Sequence, residues 1–526
     1  MKPLSPHWAD TTVVKIVSTW GDLPVYTVAS GITPSGTVHI GNFREVITTY
    51  FVARALHDAG KKVRFIYSWD NFDTFRKVPK NLPNQEMLEK NLRHPISRLP
   101  DPHGKAKSYA DYNIKTFESE LKIMGIAPEF LYQEDRYAAG TYAEAIRKAL
   151  EQNDKIKAIL NEYRSSPLED TWLPTTIYCE KCDRDQMDYE RYDGEWNYSY
   201  KCSLCHHETT TDIRKTRNLK LNWRADWPMR WHHENVQFEP GGKDHSTEGG
   251  SFDTGKKISQ EVWNQRPPVY LQYDFVSAKG KGGKMSSSSG DVITLSDALE
   301  IYEPQMIRWI FADQRPNHDF SISFDQDVIK TYEEFDKIET MALGPVPEKE
   351  GKFPLIKRTY ELSVVGPMPK RAPIRPAFRE LCDRLQICDM DSQRAYERFY
   401  SSKITDASDV TLFHARAEKA KAWLERYAPK EFRYTLRKTP NPTEFNSSQK
   451  QALNALSGLV KTTNLDSIET KDLNQLIYDE VIRKTGCDSG EFFKAVYQCL
   501  IDRESGPRLP QFIKEIGKDR FLTLVT

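Results

Sequence analysis

The stretch from Val25 to Phe43 constrains this chain more than any other. It opens on Val25, Tyr26, Thr27 and Val28, β-branched and aromatic residues that predict a short buried strand. A turn from Gly31 to Gly36 follows, with Pro34 inside it. Ile40, Phe43, Ile47, Tyr50 and Phe51 then recur at helical spacing and predict a helix with one apolar face. Strand, glycine turn and helix form the unit that aims a helix N-terminus at an anion. His39 and Asn42, three residues apart in the first turn, point the same way. Taken alone, the stretch is more simply a capped βα unit. A second strand is expected from Lys62 to Ser68, and alternation of strand and helix argues for a parallel sheet. Such sheets bind ligands beyond the carboxyl ends of their strands, where Asp70 and Asp73 fall, as ligand contacts or as caps.

Cys179 and Cys182 form one Cys-x-x-Cys knuckle and Cys202 and Cys205 another, with nineteen residues between them. Four thiolates at that spacing suit a tetrahedral Zn2+. With four protein ligands and no open position, the expected role is structural. Two disulfides are the alternative, disfavoured in a reducing compartment. His206 and His207 stand beside the knuckle as supporting groups or substitute ligands. Residues 74–110 are proline-rich, and His94 and His103 there lack a partnering cysteine, so no second metal site is expected.

The 526 residues, 38% hydrophobic and 29% charged, suffice for several domains with cores. Net charge is zero, so any nucleic-acid contact must rely on local patches. No apolar run approaches the roughly 18 residues of a membrane span, and the first residues lack an apolar leader, so a cytoplasmic protein is expected. Trp223, Trp227 and Trp231 recur every four residues, but Pro228 falls among them. The loop from Gly241 to Gly250 carries His245 and enough glycine to let backbone approach a ligand. A strand is expected from Val269 to Val276, ahead of a Lys- and Gly-rich loop from Lys279 to Lys284. Residues 346–378 read as a linker, and the remainder has helical periods such as Leu473, Leu476, Ile477 and Val481. Lys430 to Lys438 mixes cations with aromatics, which suits phosphate contact and base stacking, or a solvated helix face.

His39-Ile40-Gly41-Asn42 resembles the His-Ile-Gly-His signature of class I aminoacyl-tRNA synthetases, and Lys284-Met285-Ser286-Ser287-Ser288 resembles their Lys-Met-Ser-Lys-Ser signature. The flanks Ala29 to Arg44, Asp226 to Trp231 and Gly242 to His245 are similar to the class I lysyl-tRNA synthetases. The likeness covers most of the chain and is strongest between residues 25 and 330.

That resemblance implies an α/β chain: a Rossmann-type catalytic domain with an inserted zinc ribbon, an α-helical connecting region and an all-α anticodon-binding domain. The expected divisions are 1–72 and 213–300 for the catalytic halves and 73–212 for an insertion that meets the tRNA acceptor end, its ribbon over 171–212. A helical stem-contact region over 301–345, the linker over 346–378 and the anticodon domain over 379–526 complete it. The implied reaction joins L-lysine to ATP as lysyl-adenylate and then to tRNA(Lys), with Mg2+ accompanying the ATP.

His39, Asn42 and Lys284 are the implied catalytic residues. Pro34, His39, Gly41, Asn42, Lys284, Met285, Ser286 and Ser288 are the implied ATP contacts. Gly31, Thr33, Trp223, His245 and Tyr273 form the implied lysine pocket, with Trp227 an alternative to Trp223. Gly41 is expected to make room for the nucleotide base. Asp274, beside Tyr273, is expected on the opposite strand face. Asn42 replaces a histidine, keeping donor capacity without titration. Ser287 replaces a lysine, for which Lys279 or Lys281 could substitute. A glutamyl-type enzyme is the nearest alternative, but it carries an arginine where Ala29 to Thr33 has no cation. A catalytically silent tRNA-binding paralogue and a nucleotidyltransferase without tRNA are the others. A membrane-free monomer is expected.

Overall fold

The computed structural model describes residues 2–80, 82–279, 292–349, 351–441 and 444–525. The chain forms two compact units: residues 1–322 with 338–370, and residues 323–337 with 371–526. The helix Asp327–Leu343 is divided between them.

A five-stranded parallel sheet organises the first unit. Its strands are β1 (Tyr26–Ile32), β2 (Val63–Trp69), β3 (Glu129–Tyr132), β4 (Val236–Gly242) and β5 (Val269–Tyr273), in the order β5-β4-β1-β2-β3. In β1, Tyr26 pairs with Val63 and Ile32 with Trp69; at the other edge Val269 pairs with Phe238 and Tyr273 with Gly242. Strand order reverses between β1 and β4, which opens a crevice at their carboxyl ends. β3 lies within the range expected as an insertion, so the sheet draws a strand from 73–212.

The helix Ile40–Asp58 is buried around most of its circumference, not along one face: Val46, Ile47, Thr49, Phe51, Val52, Ala55 and Leu56 are all enclosed. It packs against β1 and β2 and against the helices Trp8–Trp20 and Pro304–Asp313, which leaves little of it for water. The strand expected over Val269 to Val276 breaks after Tyr273. Asp274 N–H donates to the Pro316 carbonyl (2.8 Å), and Val276–Ala278 instead pairs in parallel with Phe320–Ile322. The helix Trp223–His233 runs through Pro228 unbroken, so the three tryptophans share one helix.

Between β3 and β4 the chain forms an antiparallel ribbon of Met187–Tyr192, Asn197–Cys202 and Glu208–Asp212. A short antiparallel ladder of Thr175–Ile177 with Leu219–Leu221 stands at its base. The stretch 346–378 holds more than a linker. Its helix Phe353–Ser363 carries buried Arg358, which pairs with Asp10 (2.9 Å) and Asp58 (2.8 Å).

In the second unit, helices Ser447–Thr462, Ser489–Ile501, Leu509–Ile516 and Lys518–Val525 share a core that includes Leu473, Ile477, Val481, Phe492, Val496 and Leu500. Lys430 to Lys438 is not helical, so its cations do not form a helix face. They line a groove of ≈ 750 Å³ with Arg503. Among the described residues no helix is long and apolar enough to cross a membrane.

Candidate active site and four-cysteine centre

A cavity of ≈ 490 Å³ opens at the carboxyl ends of β1, β2, β4 and β5. It gathers Gly31 and Thr33 from the first turn, His39, Gly41 and Asn42 from the helix start, and Trp223, His245 and Tyr273 from segments some 200 residues away. Pro34 is buried within the turn and is not in the wall. Trp227 lies behind Trp223, stacked on it at 5.1 Å between ring centroids. Asp274 lies beyond the end of β5, in the cavity wall, and pairs with Lys243 at 3.2 Å. Lys279 is not in the wall. Lys281, Lys284, Met285, Ser286 and Ser288 lie outside the described residues.

His39 caps its helix in extended backbone geometry. Gly41 N–H donates to His39 Nδ1 (3.1 Å), and His39 N–H donates to Asn42 Oδ1 (3.1 Å). This reciprocal cap satisfies two helix-end donors. It puts the His39 ring proton on Nε2 and orients Asn42 by its oxygen, so its amide N–H groups are the ones left for a ligand. A methyl on residue 41 would stand 2.8 Å from His39 Cε1, so glycine here first of all makes room for the histidine ring. Gly31 has a similar reason: a Cβ there would meet the Ser68 carbonyl at 2.5 Å.

Of the charged groups in and behind the wall, the sequence pointed to Asp70 and Asp73 but not to Glu45, Lys220, Arg230 or Glu239. Glu45 is half-buried, and its carboxylate accepts from Gly31 N–H (2.8 Å) and Tyr273 O–H (2.7 Å). Burial pushes its carboxyl up to about 8, and no cation pairs with it among the described residues. A smaller adjoining cavity of ≈ 30 Å³ shares Gly31, Asp70 and Trp223 with the first and reaches Trp227 and Glu239. Glu239 accepts from Trp231 Nε1 (2.6 Å), and burial pushes it up to about 7. Asp70 and Asp226 share one cation, Arg230. Thr33 Oγ1 donates to Asp73 (2.8 Å), and buried Lys220 pairs with the same carboxylate. Glu45 follows Asn42 by three residues, and that helical spacing was a usable signal for it. Lys220 carried none.

Arg44, also unforeseen, is buried and donates to five backbone carbonyls: Asp274, Phe275, Arg315, Pro316 and His318, at 2.6–3.1 Å. It ties the helix start to the segment leaving β5, and burial pulls its guanidinium down to about 10.

The sulfur atoms of Cys179, Cys182, Cys202 and Cys205 all lie within 4.8 Å of one another, with two pairs at 3.5 and 3.6 Å. Zn–S bonds of about 2.3 Å place tetrahedral sulfurs about 3.8 Å apart, so the set fits a zinc ion. His207 is not aimed at that centre; its Nε2 pairs with Glu180 at 2.8 Å. His94 contacts Asn91 and Arg184, and His103 stacks on Tyr112.

The family profile described as tRNA synthetases class I (K) matches residues 6–366. A protein of Borreliella burgdorferi named lysine–tRNA ligase is 46% identical over 516 residues, 98% of each chain. Proteins of the same name from Treponema pallidum (98% of this chain, 97% of that one) and Thermococcus kodakarensis (98% of each) are 43% and 42% identical.

Proposed function

The chain belongs to the class I lysyl-tRNA synthetases, and from that premise we propose that it activates L-lysine with ATP and transfers it to tRNA(Lys). The observation that carries the choice of amino acid is Glu45, a desolvated carboxylate in the cavity wall without a cation among the described residues. A lysine ammonium supplies the missing charge, while Tyr273 and Trp223 offer faces for its alkyl stem. A glutamate side chain would find the buried cations Lys220 and Arg230 already paired.

In the first step a lysine carboxylate oxygen attacks the α-phosphorus of ATP and the bond to pyrophosphate breaks. In the second, a hydroxyl of the terminal tRNA ribose attacks the acyl carbon and AMP leaves. Neither step needs a protein nucleophile, so the work is positioning and charge stabilisation. His39 Nε2–H and the Asn42 amide donate to phosphate oxygens at the helix N-terminus. Gly31, Thr33, Trp223, His245 and Tyr273 hold the lysine, with Glu45 added to that set. Gly41, Lys284, Met285, Ser286 and Ser288 complete the ATP site, with Pro34 shaping the turn, and Lys284 brings the cation for the triphosphate. Mg2+ accompanies ATP on phosphate and water ligands. Zn2+ on the four cysteines stabilises the ribbon and takes no part in the chemistry. The ribbon region meets the acceptor end and the helical second unit reads the anticodon. The reading proposed is of a monomer that charges tRNA in the cytoplasm.

ATP–pyrophosphate exchange with purified protein tests this reading, with lysine or glutamate, with and without total tRNA. Lysine-driven exchange that requires tRNA is expected. Glutamate-driven exchange, or none with lysine and tRNA, overturns it.

A further inference from the structure

The cysteine knuckle and the cavity share a loop. The chain leaving β2, from Asp70 to Arg76, contributes Asp70, Asp73 and Thr74 to the cavity wall. Residues adjoining Cys179 and Cys182 hold that loop: Tyr178, itself in the cavity wall, and Asp185. Tyr178 O–H lies 2.9 Å from Thr74 Oγ1 and 3.1 Å from the Phe72 carbonyl oxygen. Thr74 Oγ1 donates to Asp185 (2.9 Å), which Arg93 fixes with two bonds at 2.8 and 3.0 Å. The knuckle turn is itself closed by Cys179 N–H on the Arg184 carbonyl. A second route runs through the base of the ribbon. Thr176 faces Lys220 in the antiparallel ladder, and Lys220 pairs with Asp73, which accepts from Thr33.

We propose that the four-cysteine knuckle clamps the Asp70–Arg76 loop, with Tyr178 and Asp185 as positioning residues that carry its geometry to Asp73 and Thr33 in the cavity. A loop after a strand end has few constraints of its own. Here Thr74 Oγ1 and the Phe72 carbonyl bond to Tyr178 and Asp185, which adjoin the cysteines. When metal holds the four sulfurs, Tyr178 and Asp185 are fixed within a few residues of the ligands. Without metal, the knuckle loses its constraint and the loop loses its outer wall.

Hydrogen–deuterium exchange of the full chain tests the clamp, read on a peptide covering residues 70–76. Chelator-stripped wild type, Tyr178→Phe and Asp185→Asn are compared with metal-loaded wild type, with metal content and melting measured in each. Exchange of the loop is expected to rise about tenfold in all three, the scale of one lost hydrogen bond, while a β1 peptide stays unchanged. Loop exchange that stays put while the ribbon peptides loosen overturns the proposal, as does a protein that holds no metal. If Asp185→Asn fails to fold, Tyr178→Phe, which removes one oxygen, decides.

A second arm rests on the lysine reading above. Lysine affinity, followed by tryptophan fluorescence, is expected to weaken about tenfold in metal-loaded Tyr178→Phe, and adding Thr74→Val is expected to cost less than the sum of the two changes. Strict additivity overturns the coupling. A wild type that binds no lysine sinks the substrate reading instead and leaves the exchange arm to judge the clamp.

Discussion

Glu45 is the residue whose chemistry is most exposed to test. Its carboxyl sits at about 8 against an ordinary 4.5, because burial disfavours its charge. Between those values the native protein keeps a proton that the unfolded chain has lost. Its contribution to stability therefore falls as pH rises through that window and is constant above it. Urea melts at pH 5.5 and 8 should show a smaller loss of stability over that interval in Glu45→Gln than in wild type. Lysine binding runs the other way. An ammonium favours the ionised carboxylate, so lysine affinity should strengthen as pH approaches 8, and calorimetry should find that dependence blunted in Glu45→Gln. The same change should cost about 2–5 kcal/mol of lysine binding, the scale of a buried charge pair that loses one partner. Arg44 makes a different kind of claim. Removing it strands several carbonyls in protein, so Arg44→Ala should lower unfolding free energy by about 3 kcal/mol in urea titration, and Arg44→Lys, with three donors, by less.

At the scale of elements, the βα unit from Tyr26 to Asp58 was legible because its signals are local. β-branched residues, a glycine turn and a helical period each act over a few residues. The ribbon was legible for the same reason: cysteine spacing is itself the ligand geometry. Where elements end was less so. β5 stops at Tyr273 because Arg44, 230 residues earlier, takes the Asp274 carbonyl, and no window of sequence contains both. Trp223–His233 survives Pro228, since one missing N–H is tolerated in a helix whose middle, Ala225 to Trp231, is buried. The metal makes a prediction for the ribbon. Structural zinc supplies on the order of 10 kcal/mol to small domains of this kind. Chelation, or Cys202→Ser, should expose 186–212 to limited proteolysis while the β1 region stays protected. Equal protection with and without metal would show a ribbon held by its tyrosine core alone.

At the scale of the molecule, the second unit borrows its first helix from before residue 338. Tyr332 stacks on Phe378 with centroids 3.9 Å apart, Arg416 pairs with Asp336 at 2.7 Å, and Trp423 Nε1 donates to the Phe324 carbonyl. A fragment of residues 323–526 should therefore melt higher than one of 371–526, by several degrees in thermal denaturation, since the shorter one takes Asp336 away from buried Arg416. Equal melting points would place the boundary elsewhere. Sequence alone determined which local chemistry this chain could have: a helix start for phosphate, four thiolates for a metal, and the signatures that name its family. Only the tertiary structure decided which charges are answered and which are not. Arg230 and Lys220 are paired across the fold, and Glu45 is left for a ligand. The reason is physical: desolvation and ion pairing depend on distances between residues far apart in the chain, and these exist only once the sheet has closed. The opening stretch thus announces a nucleotide site, while Glu45, just beyond it on the same helix, gains its meaning from Tyr273, brought beside it by the fold.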